Sequence, residues 1–160
     1  MASNEKFARN LVKGKIAETV FAQMLREAGE FTVLEFGYEK VIPDLVQHGY
    51  SYDEKSGVIE TLRTAPDFAV INQRNKEVKL IEVKYMHWLS EKYALKDAER
   101  MHQSWNPSYL FIATQDGFFF DEINTIIENQ GKISPLEHPH IPQELQDKYI
   151  QILRDFEGDN

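Results

Sequence analysis

Two runs of strand-forming residues, PDFAVIN (66–72) and EVKLIEVKYM (77–86), are separated only by the polar QRNK. Such a pair predicts a β-hairpin, and a hairpin fixes which side chains face one another. Closing it symmetrically about Arg74 and Asn75 pairs Asp67 with Glu82. Directly opposed side chains lie about 5 Å apart, and like charges at that distance destabilise the pair. Alternation along the second run puts Val78, Leu80, Glu82 and Lys84 on one face. By themselves Glu82 and Lys84 suit a solvated strand face. With Asp67 opposite they become two carboxylates and an ammonium in a largely apolar sheet, where unpaired charge is costly.

The surrounding pattern supplies a third carboxylate. Residues 5–28 read as an amphipathic helix with Phe7, Leu11, Ala17, Phe21, Met24, Leu25 and Ala28 on one side and Gly29 as its stop. Glu18 falls between Leu11 and Leu25 on that wheel, at the edge of the apolar stripe, and Gly14 one turn earlier leaves space beside it. A strand is expected over 31–42, interrupted near Gly37, and then a polar excursion over 43–63. A helix over 89–104 ends at Asn106-Pro107. Short strands over 108–114 and 117–123, a short helix over 124–130, an irregular proline-containing segment over 134–142 and a last helix over 143–156 follow. Trp88, Trp105, Tyr109 and the Phe118–Phe120 run are expected in the core, with stacking on a base or contact with a partner as the alternative. The order predicts one α/β domain spanning 1–160, a mixed sheet flanked by helices.

Composition narrows the chemistry. A chain of 160 residues without cysteine has no disulfide, thiol nucleophile or thiolate zinc site, so any metal must be held by oxygen or imidazole. The polar start and the lack of a long apolar run predict a cytoplasmic protein with no membrane partner. A net charge of −8 weighs against a general nucleic-acid binder, but the charge is uneven. Lys6, Arg9, Lys13 and Lys15 stand against Glu5 at the start, whereas residues 137–160 carry an excess of acid.

Opposed carboxylates stop being a penalty when a divalent cation lies between them. Mg²⁺ prefers oxygen donors, and one or two protein carboxylates beside water and phosphate suit it. Lys84 next to such a cation has a role in orienting water or neutralising charge on phosphate. At this point Glu18, Pro66-Asp67 and Glu82-Val83-Lys84, in that order on helix, strand and strand, resemble the PD-(D/E)xK nuclease superfamily. The likeness covers residues 7 to about 115, and KGKIAE (13–18) is similar to the opening of its small Holliday-junction-resolvase branch. The resemblance implies a restriction-endonuclease-like fold with an αβββαβ core. It implies a Mg²⁺-dependent endonuclease acting on DNA, with Mn²⁺ as a substitute. Asp67, Glu82, Glu18 and the Val83 carbonyl match the metal ligands, and Lys84 the catalytic lysine. A homodimer is a common assembly in that family.

Other features allow more than one use. Lys13 and Lys15 on the first helix are candidate phosphate contacts, as are Lys92, Lys96 and Arg100 at helical spacing on the second. Glu91, Asp97 and Glu99 make a solvated face an equal alternative for the second set. Gln103 lies near a position where some members carry a polar site residue. His138 and His140, set among prolines, read as loop. A non-catalytic use of the same fold, as a nucleic-acid- or protein-binding subunit, is the rival expectation. It rests on the acidic balance and the aromatic content.

Overall fold

The computed structural model describes residues 2–37, 58, 61–62 and 64–158. The elements are α1 (Ala2–Ala28), β1 (Phe31–Glu35), β2 (Phe68–Asn72), β3 (Val78–Tyr85), α2 (Glu91–Ser104), β4 (Tyr109–Thr114), β5 (Gly117–Glu122), α3 (Ile123–Glu128) and α4 (Gln143–Gly158). Their order contains the expected αβββαβ core. Most of the 43–63 excursion, and the far half of the strand expected over 31–42, lie outside the described residues.

The five strands form one sheet in the order β1-β2-β3-β4-β5. All neighbours are antiparallel except β3 and β4, which are parallel and joined across α2. The hairpin register is the one expected, with Phe68 opposite Ile81 and Ala69 opposite Leu80.

Alternation then divides the core in two. Ile81, Val83, Phe111 and Ala113 point to the face covered by α1 and α4. There the Phe21 ring lies 5.2 Å from Phe68 and 4.8 Å from Phe111, centroid to centroid. Leu110 and Ile112 point to the other face, against Ala94, Ala98 and Met101 of α2 and Ile123 and Ile126 of α3. Small alanines at i and i+4 let α2 approach the sheet closely. Its first turn is fixed by Ser90, whose side chain accepts a hydrogen bond from the Tyr93 amide.

Two expectations about burial fail. Phe7 and Leu11 continue the apolar stripe of α1 but are 70% and 56% exposed. The reason is length: a helix of 27 residues runs about 40 Å, whereas strands of five to eight residues run about 17–27 Å. The first turns of α1 therefore overhang the sheet. Trp88, expected in the core, is 63% exposed on the β3–α2 connection. Trp105 is half-buried and donates its indole N–H to the Thr61 carbonyl at 2.8 Å. No helix among the described residues is long and apolar enough to cross a membrane.

Candidate functional site

Asp67 occupies the bend just before β2, where the β2–β3 ladder stops. The Val83 amide, which points across the hairpin, meets no backbone carbonyl there; it donates instead to Asp67 Oδ2 at 2.9 Å. The backbone of Asp67 is fixed as well, because its carbonyl accepts from the Phe36 and Gly37 amides at 2.9 and 3.2 Å. Gly37 packs directly on it, so that a Cβ there would lie 3.4 Å from the Asp67 Cα. Both ends of the residue are held, and the side chain has little freedom.

Glu82 follows on β3 and is buried. Its Oε2 receives Arg100 of α2 at 3.1 Å and lies 3.7 Å from the Lys84 ammonium. Arg100 also stands 3.9 Å from Asp97, one turn before it on α2. Burial pushes the Asp97 carboxyl up, with Lys84 and Arg100 opposing. Glu18 is half-buried on α1 with the Lys15 ammonium 3.6 Å away.

The two central carboxyls differ sharply in company. Glu82 has two cations. Burial lifts Asp67 from its ordinary value to about 9, and the neighbouring charge and hydrogen bond of Glu82 add to the rise. The Val83 amide opposes this, and the more distant Glu18 adds to it. At neutral pH Asp67 therefore holds a proton that it shares with Glu82 unless a cation takes that proton's place.

The carboxylates lie where two grooves meet. One, of about 420 Å³, runs along Ala22, Gln23 and Arg26 of α1 toward Gly37 and Thr64. The other, of about 560 Å³, runs along Asn10, Lys13 and Gly14 toward Tyr85 and His87. Lys15, Glu18, Asp67 and Glu82 line both. A surface open in two directions from one carboxylate pair suits an extended substrate better than a small enclosed one.

The sequence-derived candidates divide accordingly. Asp67, Glu82, Val83, Lys84, Glu18, Lys13 and Lys15 all line these grooves. Val83 touches Asp67 through its amide. Lys13 lies over the Tyr85 ring, 5.6 Å from its centroid. Lys92, Lys96 and Gln103 are exposed on α2 and line neither groove. Arg100 does, in contact with Glu82, and the helix spacing that grouped it with Lys92 and Lys96 gave no hint of this. His138 and His140 stand next to each other, with ring centroids 5.6 Å apart, on another part of the surface beside Phe31.

Among the described residues no three carboxylates or imidazoles form a group tight enough to hold a metal ion. The sheet explains why. Glu82 is held by Arg100 of α2 on one face, while α1, which carries Glu18, covers the other. No protein-family model matches the chain, and no curated protein matches it.

Proposed function

We propose that this chain is a metal-dependent nuclease of the PD-(D/E)xK kind, an endonuclease that hydrolyses DNA phosphodiesters in the cytoplasm. The observation that carries the proposal is the Asp67–Glu82 pair at the meeting of two grooves, with Lys84 beside it. Two carboxyls forced to share a proton form a hard-oxygen donor pair, which fits Mg²⁺ or Mn²⁺. Asp67 and Glu82 would hold the ion, and Glu18, which lines both grooves with them, is a further carboxylate for it or for a bound water. Such an ion supplies positive charge to the phosphoryl oxygens and makes bound water more acidic.

This chain's own residues account for the remainder. Lys84 orients the attacking water and donates to a non-bridging phosphate oxygen. Arg100 and Lys15 supply further positive charge to the phosphate. The water oxygen bonds to phosphorus, one P–O bond to a sugar breaks, and a proton leaves with the departing oxygen or to solvent. The Val83 amide and the two amides on the Asp67 carbonyl hold the first carboxylate in place throughout.

The test is incubation of plasmid and oligonucleotide DNA with Mg²⁺ or Mn²⁺. Cleavage that falls to background in Asp67→Ala and by about 10²–10³-fold in Lys84→Ala supports the proposal; cleavage undiminished in either removes it. One observation favours the rival, a non-catalytic subunit: Arg100 already neutralises Glu82 at 3.1 Å. Calorimetry separates the two. Binding of Mn²⁺ by the wild type but not by Asp67→Ala supports the enzyme, and its absence supports the subunit.

A further inference from the structure

The second groove leads from the carboxylates past Lys84 and Tyr85 to His87. At that end the His87 ring stands edge-on to Trp88, with centroids 4.9 Å apart. His87 is itself tied to α4, its Nδ1 3.0 Å from Glu157 Oε1. Trp88 is 63% exposed and Tyr93, in the first turn of α2, is 56% exposed. A tryptophan left open at the mouth of a charged groove gives up the burial that usually places it in a core.

The charge arithmetic points the same way. Duplex binders of ordinary affinity neutralise about 6–10 phosphates with Lys and Arg. Among the described residues, the Lys and Arg side chains lining the two grooves are Lys13, Lys15, Arg26, Lys84 and Arg100. Three of these already face carboxylates: Lys15 faces Glu18, and Lys84 and Arg100 face Glu82. In a chain of net charge −8, those five cations, three of them already facing carboxylates, fall short of that number. A strand with unpaired bases has a second source of affinity, because each exposed base can stack on an aromatic face.

Resting on the nuclease reading above, we infer that this groove takes an unpaired polynucleotide strand. One base stacks on Trp88, and the adjoining backbone passes Lys13 and Lys84 to the carboxylates. The substrate class is then a single strand, or the unpaired arm of a branched one, rather than continuous duplex.

Only two tryptophans are present, so intrinsic fluorescence reports the contact. The full chain carrying Asp67→Asn, which leaves a bound strand uncut, is titrated with an oligothymidylate of about 15 nucleotides, the matching oligouridylate and a duplex of equal length. The single strands should quench the emission and bind more tightly than the duplex, and the ratio between the two oligomers identifies the preferred sugar. Adding Trp88→Ala should remove the quenching and weaken strand binding by about 5- to 150-fold, the range for one stacked base, with Trp88→Phe keeping part of it. Trp105→Phe should keep the quenching. Equal binding of duplex and single strand, or unchanged binding by Trp88→Ala, overturns the inference. A surface kept for a protein partner would give that second result. The two proposals also fail separately. Metal-dependent cleavage that ignores Trp88 leaves the nuclease and removes the strand platform. Trp88-dependent strand binding, with no metal-dependent cleavage of the same strand by the chain with Asp67 intact, supports the platform and removes the nuclease.

Discussion

The β2–β3 hairpin has two ends built on opposite principles. At the turn, backbone amides find side-chain partners within a few residues, and the Arg74 side chain finds one on the neighbouring segment. The Asn72 side chain accepts from the Arg74 and Asn75 amides at 2.9 and 3.4 Å, and the Asn75 side chain accepts from the Glu77 amide at 2.9 Å. The Arg74 guanidinium reaches Glu30 at 3.1 Å. At the open end, five residues along β2, two carboxyls face each other and one of them is forced to keep a proton. Local agreement gives a hairpin its register, and local conflict marks the place where something else must complete the structure. Charges placed against their own stability are candidates for function for that reason.

The largest expected effects fall at the open end. Asp67→Ala should reduce metal-dependent cleavage to background. Lys84→Ala should lower its rate by about 10²–10³-fold, the usual effect of losing one charge-stabilising donor. Kinetics on a single labelled strand measures both. Neither change should disturb the turn, so the hairpin register should persist in amide-exchange patterns. If either variant melts the hairpin, the two ends are not independent.

Stability should respond to pH in the opposite sense to an ion-paired carboxylate. The unfolded chain releases the Asp67 proton near the ordinary aspartate value of 3.8, whereas the folded chain keeps it until about 9. Between those values the unfolded state binds fewer protons, so stability falls as pH rises. Asp67→Asn lacks this dependence. It should exceed the wild type by more than about 1 kcal/mol at pH 8, with the gap closing toward pH 4, as followed by urea unfolding. Mg²⁺ or Mn²⁺ should raise the wild-type Tm at pH 8 and leave that of Asp67→Asn in place, since the ion replaces the proton. A wild type that gains stability with pH across this range would show the open end to be satisfied without a cation.

The turn end should behave as structure alone. Asn72→Ala removes an acceptor that serves two amides and should cost about 1–2 kcal/mol in urea unfolding. Cleavage measured well below the Tm should not change. A loss of activity beyond the unfolded fraction would mean that the turn positions the carboxylates, and the contrast between the ends would weaken.

The same contrast explains what the sequence disclosed. The register was legible because strand alternation and the QRNK turn specify it locally, and Asp67 with Glu82 followed from it. Arg100 was not legible. Its spacing on α2 grouped it with Lys92 and Lys96, and only the approach of that helix to β3 brings its guanidinium to Glu82. Nor does a helical wheel contain the length of the surface a helix covers, so Phe7 and Leu11 read as core while they overhang the sheet. Trp88 failed for a related reason: aromatic character predicts burial on average, and the groove mouth is a tertiary feature.

The smallest expected effect belongs to Lys76, the turn residue with a left-handed backbone at φ 63°. Its amide still bonds the Asn72 carbonyl at 2.8 Å, so the conformation is required to close the hairpin. A side chain in that region costs about 1–2 kcal/mol, which glycine avoids, while glycine adds roughly 0.5–1 kcal/mol of unfolded-chain entropy. The difference leaves Lys76→Gly more stable than the wild type by about 0.5–1 kcal/mol, visible as a small rise in the urea midpoint with no change in slope. Cleavage should be unaltered, because Lys76 and the carboxylates sit at opposite ends of strands that already share one register. A destabilised Lys76→Gly would mean that the lysine side chain contributes more than its backbone costs. The turn would then carry the same kind of local conflict as the open end.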